Sequence, residues 1–277
     1  MLELNWSGHL NHFKNLIGQT NHYLITILVG LEGVRTGKVT KDNTFNVTWN
    51  PKSVEESAVR SRRFARNSAL SWAIDSLDAY MGFLRKKPFE FTDQQLIKVF
   101  SERSIYKSLK EVTRFCNYQT DLPLSIIHLG IQWRNNLVHY HADNELEPEF
   151  RKYLLEYDQA KVAERFRGLD GNLMVNNFDE KNSPTLKEVA AIIQCIHYVV
   201  LELDKILIQN VNLEDYIKQL IADNDLEYKN IMAASPDKRL KKFKQFLFSK
   251  GFKETDGATS TNILTDEKIE KLMNGSS

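Results

Sequence analysis

Over long stretches of the chain, apolar residues recur with the period of an α-helix. Between Trp6 and Leu31, the residues Leu10, Phe13, Ile17, Leu24 and Leu28 fall at that spacing and predict helix. Residues 32–53 interrupt the pattern with Gly33, Gly37, Asp42, Asn43, Asn50 and Pro51; within them, Thr44 to Trp49 reads as a short strand or an ordered loop. Ser53, with Glu56 three residues on, resembles a capping box. It opens a long helix through Arg60, Phe64, Trp72, Leu77 and Phe83, which stops before Pro88. A shorter helical stretch over 93–117 is broken near Ser101. Asp121 and Pro123 then supply an N-cap and a first-turn proline for a helix running to Tyr140. Residues 142–183 are mixed, with one amphipathic piece around 148–166 and a loop from Gly168 through Gly171, Asn172, Asn176 and Asn177. After Ser183-Pro184, the stripe Val189, Ile193, Ile196, Val200, Leu203 and Leu207 marks a strong helix to Asn210. Weaker helices follow at 212–223 and 237–249, and the Gly-, Ser- and Thr-rich chain from Gly251 reads as a poorly ordered tail.

The expectation is therefore an all-α bundle with an irregular insertion at 32–53. It has three parts: residues 1–53 packed on the core, a helical core at 54–210, and a helical, partly basic extension at 211–277. Composition narrows the setting. The 277 residues are 42% hydrophobic and 26% charged, which excludes wholesale disorder. With 37 Lys plus Arg against 36 Asp plus Glu, the net charge of +1 gives no bulk attraction to nucleic acid or membrane, so any such site is a local patch. Two cysteines, Cys116 and Cys195, exclude a disulfide framework and a cysteine-rich zinc site and fit a reducing cytosol. The longest apolar run, Tyr23 to Leu31, is short against the roughly 20 residues of a spanning helix. A cytoplasmic protein without membrane contact is expected. No glycine-rich phosphate loop, His-Glu-x-x-His zinc motif or Gly-x-Ser-x-Gly elbow occurs, so neither cofactor nor metal is expected.

One segment breaks a rule. On a wheel of about 100° per residue, Ile126, Leu129, Leu137 and Tyr140 cluster around Trp133, while His128, Gln132, Asn135 and His139 form a polar stripe opposite. Arg134 falls inside the apolar arc, where a guanidinium needs either a carboxylate partner or a water-filled cleft. Asp75 or Asp78 on the long helix could supply the partner, leaving Arg134 a packing role; the alternative is a functional site. His139 follows five residues later, with Asn135 beside the arginine and His141 beyond.

The run Arg134-Asn135-Asn136-Leu137-Val138-His139 resembles the signature of the HEPN family: Arg, four to six residues, then His, near the end of a helix in a small bundle, often with Asn, Asp or His after the Arg. The likeness covers about residues 55–210. It implies a metal-independent endoribonuclease that leaves a 2′,3′-cyclic phosphate, pairing two Arg–His motifs across a homodimer cleft, of a toxin–antitoxin or phage-defence type with an antitoxin or defence-system partner. In that frame Arg134 neutralises phosphate charge and His139 moves protons. Asn135, one turn before His139, orients the imidazole or phosphate, and His141 is a second histidine at permitted spacing. Asp75 is the candidate that steadies Arg134 or His139. In family toxins that pair with a nucleotidyltransferase antitoxin, a Tyr two residues after the His is modified. Here that position is His141, and Tyr140 is one place early, so the likeness does not carry that regulation.

Two basic runs are candidate RNA grips or solvated helix faces: Arg60, Arg62, Arg63 and Arg66, and Lys238 to Lys244 with Phe243, Phe246 and Phe248 interleaved. The rival functional reading is a non-catalytic HEPN-like module that binds RNA, nucleotide or protein.

Overall fold

The computed structural model describes residues 1–42, 44–89, 91–139, 141–256 and 263–274. The element order is β1 (Leu2–Leu4), α1 (Gly8–Ile17), α2 (Thr20–Arg35), α3 (Val54–Phe83), α4 (Gln94–Ser101), α5 (Ile105–Phe115), α6 (Leu122–Val138), α7 (Pro148–Glu156), α8 (Gln159–Arg165), α9 (Gly171–Asp179), α10 (Leu186–Leu207), α11 (Leu213–Asp223), α12 (Asp225–Met232), α13 (Pro236–Ser249), β2 (Phe252–Glu254), β3 (Ile263–Leu264) and α14 (Asp266–Asn274). The class is all-α with one small sheet, and no described helix is long and apolar enough to cross a membrane.

Local chemistry explains the helix starts. Ser53 Oγ accepts from the Glu56 amide at 3.2 Å, opening α3. Asp93, Ser104, Asp121 and Asn212 cap α4, α5, α6 and α11 in the same way. The break near Ser101 separates α4 from α5 as expected.

Three expectations need correction. The segment 6–31 is not one helix: it splits at Gly18-Gln19, where glycine is a weak helix former, and α2 continues past the expected stop to Arg35, whose guanidinium returns to Glu32. Thr44 to Trp49 takes the loop alternative, with a turn and a bend and no strand. The expected loop at 168–177 holds α9: Asp170 caps the Leu173 amide, and Met174, Val175 and Phe178 bury one face despite three asparagines. The expected tail carries β2, β3 and α14. Asn43, Tyr140 and the chain end at 275–277, all used in the sequence reading, lie outside the described residues.

The chain forms two units. The first comprises Met1–Phe13, Ala79–Tyr118 and Val200–Ser277. Its sheet has the order β2-β1-β3, with β1 antiparallel to both neighbours; Leu2 lies opposite Glu254 and Leu264, and Leu4 opposite Phe252. Gly251 sets the entry to β2 at φ 104°, and a Cβ there would stand 2.2 Å from the Trp6 carbonyl oxygen. Only glycine fits both demands. A buried carboxyl organises the interior of this unit: Asp204 accepts from the Ser7 amide at 2.9 Å, from the Ser7 hydroxyl, and from the Tyr80 hydroxyl at 3.2 Å.

The second unit comprises Lys14–Asp78 and Gln119–Val199. Helix α6 runs through its core, with Leu122 to Ile131 and Trp133 all buried. Gly130 lets α10 approach closely, since a Cβ there would meet Ile192 at 2.9 Å. The Trp133 indole donates to the Asn182 carbonyl at 2.9 Å. The predicted polar stripe on α6 holds only toward its end. His128 is sealed in the core, stacked on Phe150 of α7 with ring centroids 3.9 Å apart, because α7 covers that side.

Candidate functional site

The site is built where α6 ends. Asp121 Oδ1 accepts from the Leu124 amide at 2.9 Å and Pro123 sits in the first turn, fixing the helix start. The helix closes with His139 as C-cap, its amide donating to the Asn135 carbonyl at 3.0 Å. Arg134 is thus one turn inside the terminus and His139 is the first residue outside it.

Arg134 keeps 23% of its side chain exposed, against 58% for Asp75. Its Nη2 donates to Asp75 Oδ1 at 2.7 Å, and Nη1 to Asn135 Oδ1 at 3.3 Å. Its Nε is sealed from solvent with no acceptor among the described residues. The head is therefore half in the protein and half at its surface. Of the two carboxylates considered from sequence, Asp75 is the one paired with it. An ion pair this exposed stabilises the fold by about 1 kcal/mol at most.

Asp75, which holds Arg134, helps wall a groove of about 390 Å³ together with Phe64, Ser68 and Trp72 of α3 and Leu137 and Val138 of α6. Phe64 is 74% exposed, and Trp72 and Val138 are exposed as well. The Trp72 indole donates to the Leu16 carbonyl, which holds the ring in place while leaving a face open.

His139 is exposed, and its ring makes no hydrogen bond, ion pair or ring contact among the described residues. Asn135 touches Arg134 rather than the His139 ring. His141 is exposed two residues on. The structure thus joins Arg134, Asn135 and Asp75 by direct bonds, with His139 and His141 following at the helix end.

Asn136 was missed by sequence reasoning. Its Nδ2 donates to the Asn144 carbonyl at 3.0 Å, while its Oδ1 accepts from the Asn144 amide at 2.8 Å and side chain at 3.1 Å. These bonds tie the chain after His139 back onto α6. Two asparagines eight residues apart carry no recognisable motif, so nothing in the sequence pointed to them. Asn136→Ala should release this segment, cost about 1–2 kcal/mol in stability, and lower any activity that depends on His139 without touching substrate. Chemical denaturation alongside an RNA cleavage assay reads both effects; unchanged activity would remove Asn136 as a positioning residue.

The arginine cluster on α3 divides. Arg60 pairs with Glu56 and Arg62 with Glu32. Arg63 instead donates to Ser183 Oγ at 2.5 Å, and neither it nor Arg66 forms a close ion pair among the described residues, although the Glu188 carboxylate attracts the Arg66 charge. Burial, and then the neighbouring Arg62 charge, lower the Arg66 pKa. Asn67, which borders the groove, donates to the same Ser183 oxygen at 3.4 Å. Arg63 and Arg66 therefore stand beside the Phe64 and Asn67 end of the groove; the eight steps from Asn67 to Asp75 span about 12 Å of helix. The second basic run differs. Phe243 and Phe246 are buried, Lys244 pairs with Asp266 at 2.7 Å, and Arg239 donates to the Ala234 carbonyl, so these rings are core and not a stacking surface. No protein-family model, no curated protein and no solved structure matches this chain.

Proposed function

We propose that this protein is an HEPN-like, metal-independent endoribonuclease acting as a homodimer in a toxin or phage-defence role. The observation that supports it most is the partly exposed Arg134 guanidinium bonded to Asp75 on the wall of an open groove, with the exposed His139 ring at the cap of the same helix. A neutral imidazole takes the proton of a ribose 2′-OH; the 2′-oxygen bonds to phosphorus, and the bond to the 5′-oxygen breaks. An imidazolium returns a proton to that oxygen, leaving a 2′,3′-cyclic phosphate and a 5′-OH. Histidine suits both proton steps near neutral pH. The guanidinium fork offsets charge growing on the phosphoryl oxygens.

One imidazole cannot hold both protonation states at once. A second copy, or His141, supplies the other. The exposed Phe64 and Val138 on the groove walls favour a second copy, since burying them would remove apolar surface from water. Arg63 and Arg66 upstream would hold the flanking RNA backbone.

The test is total RNA from cells expressing the wild type or the His139→Ala form, together with purified protein and RNA in EDTA. Discrete fragments with cyclic phosphate ends, undiminished by EDTA and absent with the variant, are expected. Fragments of equal yield from both proteins would remove the assignment. One observation favours a second reading, that of a non-catalytic RNA-binding module: the Arg134 Nη2 donor is already spent on Asp75, and no described residue orients the His139 ring. Tight RNA binding by the wild type with no cleaved product would select it.

A further inference from the structure

A second cavity, of about 700 Å³, lies in the Lys14–Asp78 and Gln119–Val199 unit and shares no wall residue with the Arg134 groove. Its size is that of a small-molecule site. Its floor is apolar: Ala190, Ala191 and Ile193 come from α10, with Phe166 at the end of α8. Ala190, which is only partly buried, leaves space that a larger side chain would fill.

The rim is cationic. Arg167 and Lys187 both line the opening, and among the described residues no carboxylate does. Arg167 sits at φ 52° and Gly168 at φ 82°, a left-handed turn that ends α8 and brings Arg167 to the rim. Lys187 Nζ donates to the Gly168 carbonyl at 3.2 Å, which holds the ammonium beside that same turn. Two cations therefore converge on one lip. Arg167 has no ion pair or hydrogen bond of its own among the described residues. Asn21, Gln194, His22 and His197 add further polar groups around the opening. Burial, then the Lys14 charge, lower the His197 pKa.

A monocarboxylate would neutralise only one of the two cations, whereas a phosphate group carries enough charge and oxygen acceptors for both, and its geometry suits the guanidinium fork. The apolar floor asks for a body with a flat, weakly polar face. We propose that this cavity binds an organic phosphate of the nucleotide class, with phosphate against Arg167 and Lys187 and the base against Ala190 of α10 and the exposed Ile25 of α2. This site stands independently of the Arg134 reading.

Equilibrium dialysis of the full chain against labelled ATP, with inorganic tripolyphosphate as competitor, tests it. Saturable ATP binding is expected. R167E/K187E should weaken it by roughly tenfold or more, as loss of charge-assisted bonds to phosphate implies. A190L, which fills the cavity without changing charge, should weaken it as well. K38E/K52E, with the same change in net charge on exposed lysines elsewhere in the unit, should bind like wild type; circular dichroism confirms that each variant folds. Absence of saturable ATP binding, binding that survives both R167E/K187E and A190L, or tripolyphosphate competing as well as unlabelled ATP would each overturn the assignment.

Discussion

Arg134→Ala and His139→Ala should each lower RNA cleavage by at least about a hundredfold while leaving the fold intact, since a positioned proton-transfer group and a charge-stabilising donor each contribute on that scale. The fold should survive for reasons visible around each side chain. Asp75 is 58% exposed, so losing Arg134 leaves a carboxylate that water can solvate. The sealed Arg134 Nε has no acceptor among the described residues, so its removal also takes away a donor that none of them satisfies. His139 lies outside the helix and contributes only its backbone amide to the cap. Arg134→Lys sharpens the result: it keeps the charge within reach of Asp75 but loses the planar fork, and cleavage should stay low. Fragment yield on gels, paired with denaturation midpoints, separates the alternatives. A stability loss of several kcal/mol for Arg134→Ala with no change in RNA would make the residue a structural ion-pair partner only.

The largest expected loss of stability lies at Asp204. Asp204→Ala should destabilise the first unit by about 3 kcal/mol or more, because it strands the Ser7 amide, the Ser7 hydroxyl and the Tyr80 hydroxyl in a water-free interior. Asp204→Asn gives a finer test. Its amide oxygen can still accept from the two hydroxyls, but its NH₂ then faces the Ser7 N–H, donor against donor. The loss should be smaller than for alanine yet well above that of a surface substitution. Urea denaturation measures both, and near-wild-type stability for Asp204→Ala would mean that this carboxyl does not hold the N-terminal segment in place.

How much of this was legible in the sequence depended on how local the cause was. Helices α3, α6 and α10 declared themselves because cap, stripe and stop all lie within their own residues, as with Ser53 and Glu56 or Asp121 and Pro123. Helix α9 did not, because Gly171 and its asparagines signal a turn, and only burial of Met174, Val175 and Phe178 overrides them. The sheet could not be foreseen: strands of two and three residues pair Leu2 with Glu254 and Leu264, and so brief a run has no period to detect. At the site, Arg134 stood out because a charge fell among apolar positions, and Asp75 followed from the neighbouring polar stripe. The Asn136 clasp, the Asp204 hub and the cationic cavity arise from residues far apart in the chain, each ordinary in its own surroundings.

The two thiols have a practical consequence. Cys116 belongs to the first unit and Cys195 to the second, and burial pushes the pKa of Cys116 up to about 12 and that of Cys195 higher still. The thiolate that reacts with an alkylating reagent is therefore withheld at both positions while the chain is folded. Each unit carries its own built-in reporter: labelling at Cys116 or Cys195, told apart by peptide mass, times the opening of one half of the molecule without any engineered probe.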